Sequence, residues 1–147
     1  MLKVYLDTCS IQRPLDTLNQ IRLRLEAEAI LGILASVQSG RIALISSTVL
    51  ELEAAQNPLA LRRGHGRQVL KQATAIVKVD AALEERAAVF EQRGIRSMDA
   101  LHLACAEAAD VDYFCTCDDN LLRKAKRIAS LRTRIVTPLE LAEVLER

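Results

Sequence analysis

Tryptophan is absent from this sequence, and two phenylalanines and two tyrosines are its only aromatics. Base-by-base stacking needs aromatic platforms, so it is excluded as the main way of reading a nucleic acid. Half of the residues are hydrophobic while aromatics make up 3%, so the core must be assembled from Leu, Ala, Val and Ile. Cysteine is too sparse for a zinc or disulfide framework: Cys115 and Cys117 form one C-x-C pair, and Cys9 and Cys105 stand alone. Small buried thiols are expected instead. No apolar run reaches membrane-span length, and the opening MLKVYLDT is too short for a secretory signal, which predicts a soluble, cytoplasmic protein without a membrane partner. An excess of one charge is missing as well. At a net charge of +1, overall electrostatics neither demand nor exclude a polyanionic partner, and any nucleic-acid surface must come from local clustering. There is no internal repeat, low-complexity segment or linker, so residues 1–147 are expected to form one domain.

What is present alternates between short β-rich runs and longer helical ones. Leu2–Leu6 reads as a strand ending at Asp7. Arg13-Pro14 breaks the chain, and Asp16 or Thr17 can cap an amphipathic helix from Leu18 to about Ser39, stopped by Gly40. Ile42–Ile45 is a second strand ending in Ser46-Ser47. A short helix from Val49 to about Gln56 follows, carrying Glu51 and Glu53 and stopping before Asn57-Pro58. Leu59–Val79 reads mostly as helix, and Ala81–Gln92 as another. Ser97 is the expected N-cap of a helix in which Leu101, Ala104, Cys105 and Ala108 recur as a buried stripe. Tyr113–Thr116 is a strand, Leu121 to about Ala129 a helix, and Ile135-Val136 a last strand. Pro138 opens the terminal helix to Leu145. Short apolar strands separated by helices predict an α/β fold: three α/β/α layers around a mostly parallel sheet of four or five short strands.

In such sheets ligands bind beyond the carboxyl ends of the strands. Asp7 and Asp118 lie at such ends, Asp99 in the first turn of a helix, and Glu51 or Glu53 just past the second strand. Taken singly, each acid also suits a cap or a turn. Together they describe a carboxylate cluster. Clustered carboxylates repel one another and raise each other's pKa unless a cation neutralises them. Oxygen-only ligands favour Mg²⁺ or Mn²⁺, and a metal so held polarises a phosphodiester and activates water. No Cys or Ser nucleophile paired with a histidine is evident in the sequence.

Four segments carry a resemblance: VYLDT at 4–8, SSTVLELEAAQNP at 46–58, SMDALHLA at 97–104 and TCDDNLL at 116–122. Their order and spacing resemble the PIN domain family, whose bacterial members are commonly VapC-type toxin ribonucleases. The resemblance implies catalytic roles for Asp7, Glu53, Asp99 and Asp118, with Asp7, Asp99 and Asp118 as the metal ligands. Glu53 stands six residues after Ser47, the interval usual in the family, and Glu51 is its competitor. Asp119 is an auxiliary acid, and the hydroxyls of Thr8 and Thr116 are placed to orient waters or a carboxylate. The chain departs from the family at Cys9, where many relatives carry Asn, and so loses an amide beside the metal. The implied activity is Mg²⁺- or Mn²⁺-dependent endonucleolytic hydrolysis of RNA, leaving a 5′-phosphate and a 3′-hydroxyl, with an antitoxin protein as partner. Two readings stand beside it: a PIN-like module that binds RNA or protein without cutting, and a DNA nuclease using the same acids.

His102 shares a helix face with Asp99 and is expected to pack, or to support a site residue from behind, rather than act as a base; His65 is expected to be exposed. Arg123, Lys124, Lys126 and Arg127 open a basic run that either solvates a helix face or forms a phosphate-binding rim, with Arg62, Arg63 and Arg67 extending it. The Leu/Ala-rich helices from Leu59 to Gln92 suggest a protruding arm that would serve a homodimer or an antitoxin segment.

Overall fold

A computed structural model describes residues 1–147. Five short strands run in the order β3-β2-β1-β4-β5, and every pairing is parallel. They are β1 (Lys3–Leu6), β2 (Ala43–Ser47), β3 (Ala75–Val77), β4 (Tyr113–Cys115) and β5 (Arg134–Val136). Eight helices flank them: α1 (Thr8–Gln12), α2 (Ile21–Gln38), α3 (Thr48–Ala55), α4 (Ala60–Leu70), α5 (Ala81–Gln92), α6 (Ser97–Ala108), α7 (Asp119–Lys126) and α8 (Pro138–Glu146). None is long and apolar enough to cross a membrane.

The central strand shows why both faces must be covered. Side chains alternate along a strand, so Tyr5 faces one layer and Val4 and Leu6 the other. All three are fully buried. Tyr5 packs edge-on to His102 of α6 and stacks on Phe114 of β4, with ring centroids 5.7 and 5.3 Å apart. Elsewhere α8 packs on β4 and β5 and is itself covered by α2. Because the chain builds β2 and β3 on one side of β1 and β4 and β5 on the other, a topological switch point falls between β1 and β4. A crevice opens at the carboxyl ends of strands at such a point.

Several expectations need correction. Leu59–Val79 is not one helix: α4 stops at Leu70, and Ala75–Val77 adds a parallel edge strand to β2, with Ser46 opposite Ile76. The helical signal ran on through Lys71–Thr74, but sheet pairing, including Thr74 N–H to Leu44 O at 2.9 Å, overrides it. No arm protrudes, since α4 lies on α1 and α3, and α5 on α6. Thr8–Gln12 forms a helix that periodicity could not reveal in five residues. Arg13–Leu15 is a 3-10 turn, and the following helix starts at Ile21, after Gln20, rather than being capped by Asp16 or Thr17. Arg96, not Ser97, is the N-cap of α6. Burial on α6 is no stripe either, because residues 102–107 are all buried while Ala108 is exposed. The helix is enclosed by β2, α3 and α5.

Candidate active site

Each element that ends at the switch point delivers an acid. The chain leaves β1 through Asp7, whose Oδ1 accepts the Ser10 N–H at 3.1 Å and so caps α1. Its own N–H donates to Cys115 O at 3.2 Å, which ties it to the neighbouring strand. Asp118 repeats the device beyond β4. Its Oδ1 accepts the N–H groups of Asn120 and Leu121 at 2.9 and 3.1 Å as the N-cap of α7, and its own N–H donates to Thr116 Oγ1 at 3.0 Å. Asp99 sits in the first turn of α6, where the helix dipole suits a carboxylate. Glu53 comes from α3. These four acids line one cleft of about 440 Å³, and every lining residue except Cys9 is polar or charged. Such a lining suits an ionic ligand rather than an apolar cofactor.

The hydrogen bonds divide the carboxylate oxygens into two sets. Oδ1 of Asp7, Oδ1 of Asp118 and Oε1 of Glu53 are held by protein donors. The second oxygen of each has no protein donor, and Asp99 has none at all. One anchored and one open oxygen on each of several acids is a donor set for a hard divalent cation. As they stand, no three acidic, His or Cys side chains are gathered tightly enough to share an ion. The charge imbalance appears in the pKa values. Burial first, then Asp7, Asp118 and Glu53, push the Asp99 carboxyl above its ordinary value, with only His102 opposing them. Burial also pushes Glu53 up, but the hydrogen bonds from His102 and Thr8 and the field of His102 outweigh it and hold that carboxyl below the usual range.

The remaining expected residues divide between the cleft and its surroundings. Thr8 Oγ1 donates to Glu53 Oε1 at 2.5 Å, while Thr116 is spent on the Asp118 backbone. Residues two apart on a helix are about 200° apart around its axis, so Glu51 faces away from the cleft. Its Oε1 accepts from Ser46 Oγ at 3.0 Å, and it lines a separate depression with Arg63 and Arg67. Asp119 also leaves the site: its carboxylate takes a bidentate pair from Arg22 of α2 at 2.6 and 2.7 Å and is well exposed. Cys9 replaces part of what the missing amide would have given, since its S–H donates to Asp7 Oδ1 at 3.1 Å. The Cys117 sulfur, burial and the Asp7 carboxylate drive the Cys9 thiol far up, so it keeps that proton.

The members of the basic run turn to different neighbours. Lys124 lines a shallow depression shared with Arg96, Asp99 and Asp118, its Nζ donating to Gly94 O at 2.8 Å. Arg123 turns to Asn120 Oδ1, Lys126 stands 3.8 Å from Glu140 over β5, and Arg127 is the exposed C-cap of α7. On the opposite wall Arg62 lines the cleft while donating to Asp16 Oδ1 at 2.8 Å and Leu15 O at 3.1 Å. His65 is partly covered, with Nε2 2.8 Å from Ile11 O. Sequence reasoning missed Arg96 and Gln12, both in the cleft wall. Arg96 stands one residue before the helix that presents Asp99, which was a usable signal; Gln12 offered none. It also missed that Tyr5 is a polar partner of His102 as well as a core ring.

No curated protein sequence matches the chain. Among solved structures, VapBC2 from Rickettsia felis, bound to a DNA fragment from its promoter, superposes with a TM-score of 0.55 at 13% identity, covering 92% of this chain and 98% of that one. PAE2754 from Pyrobaculum aerophilum superposes with a TM-score of 0.57 at 17% identity, covering 99% and 96%. These likenesses concern the fold. The sequence profile of the PIN domain matches residues 4–128, a span that takes in all four acids of the cleft, and the chain therefore belongs to the PIN domain family.

Proposed function

We propose that this protein is a Mg²⁺- or Mn²⁺-dependent endoribonuclease acting in the cytoplasm as the toxin of a toxin–antitoxin pair. The observation that carries the reading is the cleft itself: Asp7, Glu53, Asp99 and Asp118 meet at the switch point, with open carboxylate oxygens and a carboxyl of raised pKa among them. Asp7, Asp99 and Asp118 are the residues that would hold the cation. Bound there, it would neutralise the acids and polarise an RNA phosphodiester. Glu53, held ionised, takes a proton from the attacking water. Arg96 and Lys124 on one shoulder and Arg62 on the other hold the RNA backbone by its phosphates, in keeping with a chain that lacks aromatic platforms. Hydrolysis in this sense leaves a 5′-phosphate and a 3′-hydroxyl. The antitoxin partner is supported by the likeness of the fold to VapBC2.

Asp99→Asn tests the reading. Purified protein should cut RNA only when Mg²⁺ or Mn²⁺ is present, and the variant should lose cleavage by at least about 10²-fold while keeping its circular dichroism spectrum. Equal cutting by both proteins would sink the enzyme claim. Faster cutting of DNA than of RNA would move the activity to a DNA nuclease.

A further inference from the structure

Behind the cleft runs a buried chain of polar groups that the hydrolytic scheme leaves unused. Tyr5 is fully buried in the central strand, where an unpaired hydroxyl would cost free energy and a phenylalanine would cost none. Phe114 occupies the adjacent position on β4 and stacks on it, so an apolar ring is accepted there. The hydroxyl is instead fully engaged. It lies 2.7 Å from Ser47 Oγ and 2.6 Å from His102 Nδ1, while Ser47 Oγ accepts the Leu50 N–H at 3.1 Å. The other ring nitrogen, His102 Nε2, is 2.7 Å from Glu53 Oε1.

The protons along this chain follow from chemistry. An ionised carboxylate only accepts, so Nε2 must carry a proton and donate it to Glu53. With the ring neutral, Nδ1 accepts from the Tyr5 hydroxyl, which in turn accepts from Ser47. With the ring charged, the two hydroxyls rotate and the direction of both bonds reverses. The donation to Glu53 is the same in either state. Thr8 adds a second donor to the same oxygen. Oε1 is thus occupied twice, and Oε2 is the oxygen left for the cleft.

We infer that His102, itself fixed by Tyr5 and Ser47, is a positioning residue for Glu53: it pins one carboxylate oxygen so that the other is presented to the attacking water. The geometry stands without the nuclease reading; its catalytic consequence rests on that reading. His102→Leu removes the donor, and His102→Gln returns an amide N–H near the place of Nε2. The leucine variant should lower kcat on RNA by about 10- to 100-fold, the usual cost of losing a supporting partner, with KM nearly unchanged. The glutamine variant should recover most of that loss. Tyr5→Phe, which keeps the ring, should reduce kcat less than His102→Leu, and it carries the test with His102→Gln if the leucine variant does not fold. In the metal-free protein, ring-nitrogen NMR should find the His102 proton on Nε2, exchanging slowly. A leucine variant as fast as wild type, a glutamine variant no better than the leucine one, or a neutral ring protonated on Nδ1 each overturns the inference. If the wild type does not cut RNA, the nuclease reading fails, and the nitrogen spectrum alone decides whether Glu53 is held.

Discussion

The two ends of α6 each carry an acid, and the protein treats them in opposite ways. Glu107, near the C-terminal end, is buried where the helix dipole disfavours a negative charge. Its carboxylate nevertheless accepts two bonds from the Arg86 guanidinium at 2.7 and 3.0 Å and the Arg132 N–H at 3.1 Å. Burial lifts its pKa, but Arg86 and Arg132 more than offset this and hold it below the usual range. Asp99 occupies the end that the dipole favours, yet it has no donor and its carboxyl is pushed up. Partners, not the helix, decide which acid is at ease. The acid that binds the fold together is supplied with cations by the chain, and the acid at the cleft is left without one.

That contrast can be broken most sharply by removing each acid. Asp99→Asn should cost about 10²- to 10³-fold in RNA cleavage, measured by initial rates. Because it removes an uncompensated charge, its urea midpoint should match or exceed that of wild type. Glu107→Ala should do the reverse. It strands Arg86 and should lower unfolding free energy by about 3 kcal/mol, near the low end for a buried pair since Arg86 is partly exposed. Cleavage per folded molecule should hold.

Adding a divalent cation is the next test. At 100 times its Kd, Mn²⁺ should stabilise wild type by about 2.7 kcal/mol in a thermal shift assay, and Asp99→Asn should gain much less. The two acids should also tilt the metal-free stability curve in opposite senses. Asp99 has a raised pKa in the fold, so stability falls as pH rises from its ordinary 3.8 through the raised value. Glu107 has a lowered pKa, so stability is lost as pH drops from its ordinary 4.5 through the lowered value. Denaturation across pH 3 to 7 should show each slope vanish with its own variant. The smallest effect expected is from Cys9→Ala, which removes one S–H donor from Asp7 and should cost about 1 kcal/mol by the same denaturation assay.

The parts of the molecule that could be read from sequence are those fixed by local rules. Asp7 and Asp118 stand where short β-rich runs end, and both turned out to cap the following helix, so one signal marked the strand end and the acid together. Strands alternating with helices were enough for the sheet and its parallel sense. The parts that could not be read depend on what lies opposite. β3 is three residues at an edge, largely exposed, and only pairing with β2 distinguishes it from the end of α4. The basic run has the spacing of one helix face, opposite the buried Leu121 and Ala125. But Arg123, Lys124 and Lys126 turn to separate partners, Asn120, Gly94 and Glu140, which the run itself does not reveal. Asp119 looked like a spare acid until Arg22, nearly a hundred positions earlier, was found against it. Tyr5 looked like core, and it is, but its hydroxyl has a second allegiance that no pattern within VYLDT reveals.

The strand order has a consequence for synthesis. Of the five strands β1 is made before the other four and lies at the centre of the sheet, yet one of its two neighbours, β4, begins only at Tyr113. Domains emerge N-terminus first at about 5–20 residues per second. Until β4 emerges the nascent chain therefore holds Asp7, Glu53 and then Asp99, while the crevice they share has no second wall. Asp118 follows β4 by three residues, so the strand and the fourth acid arrive almost together and complete the cleft in one step. A chain cut short before residue 118 carries at most three of the four acids and lacks the last wall of the cleft.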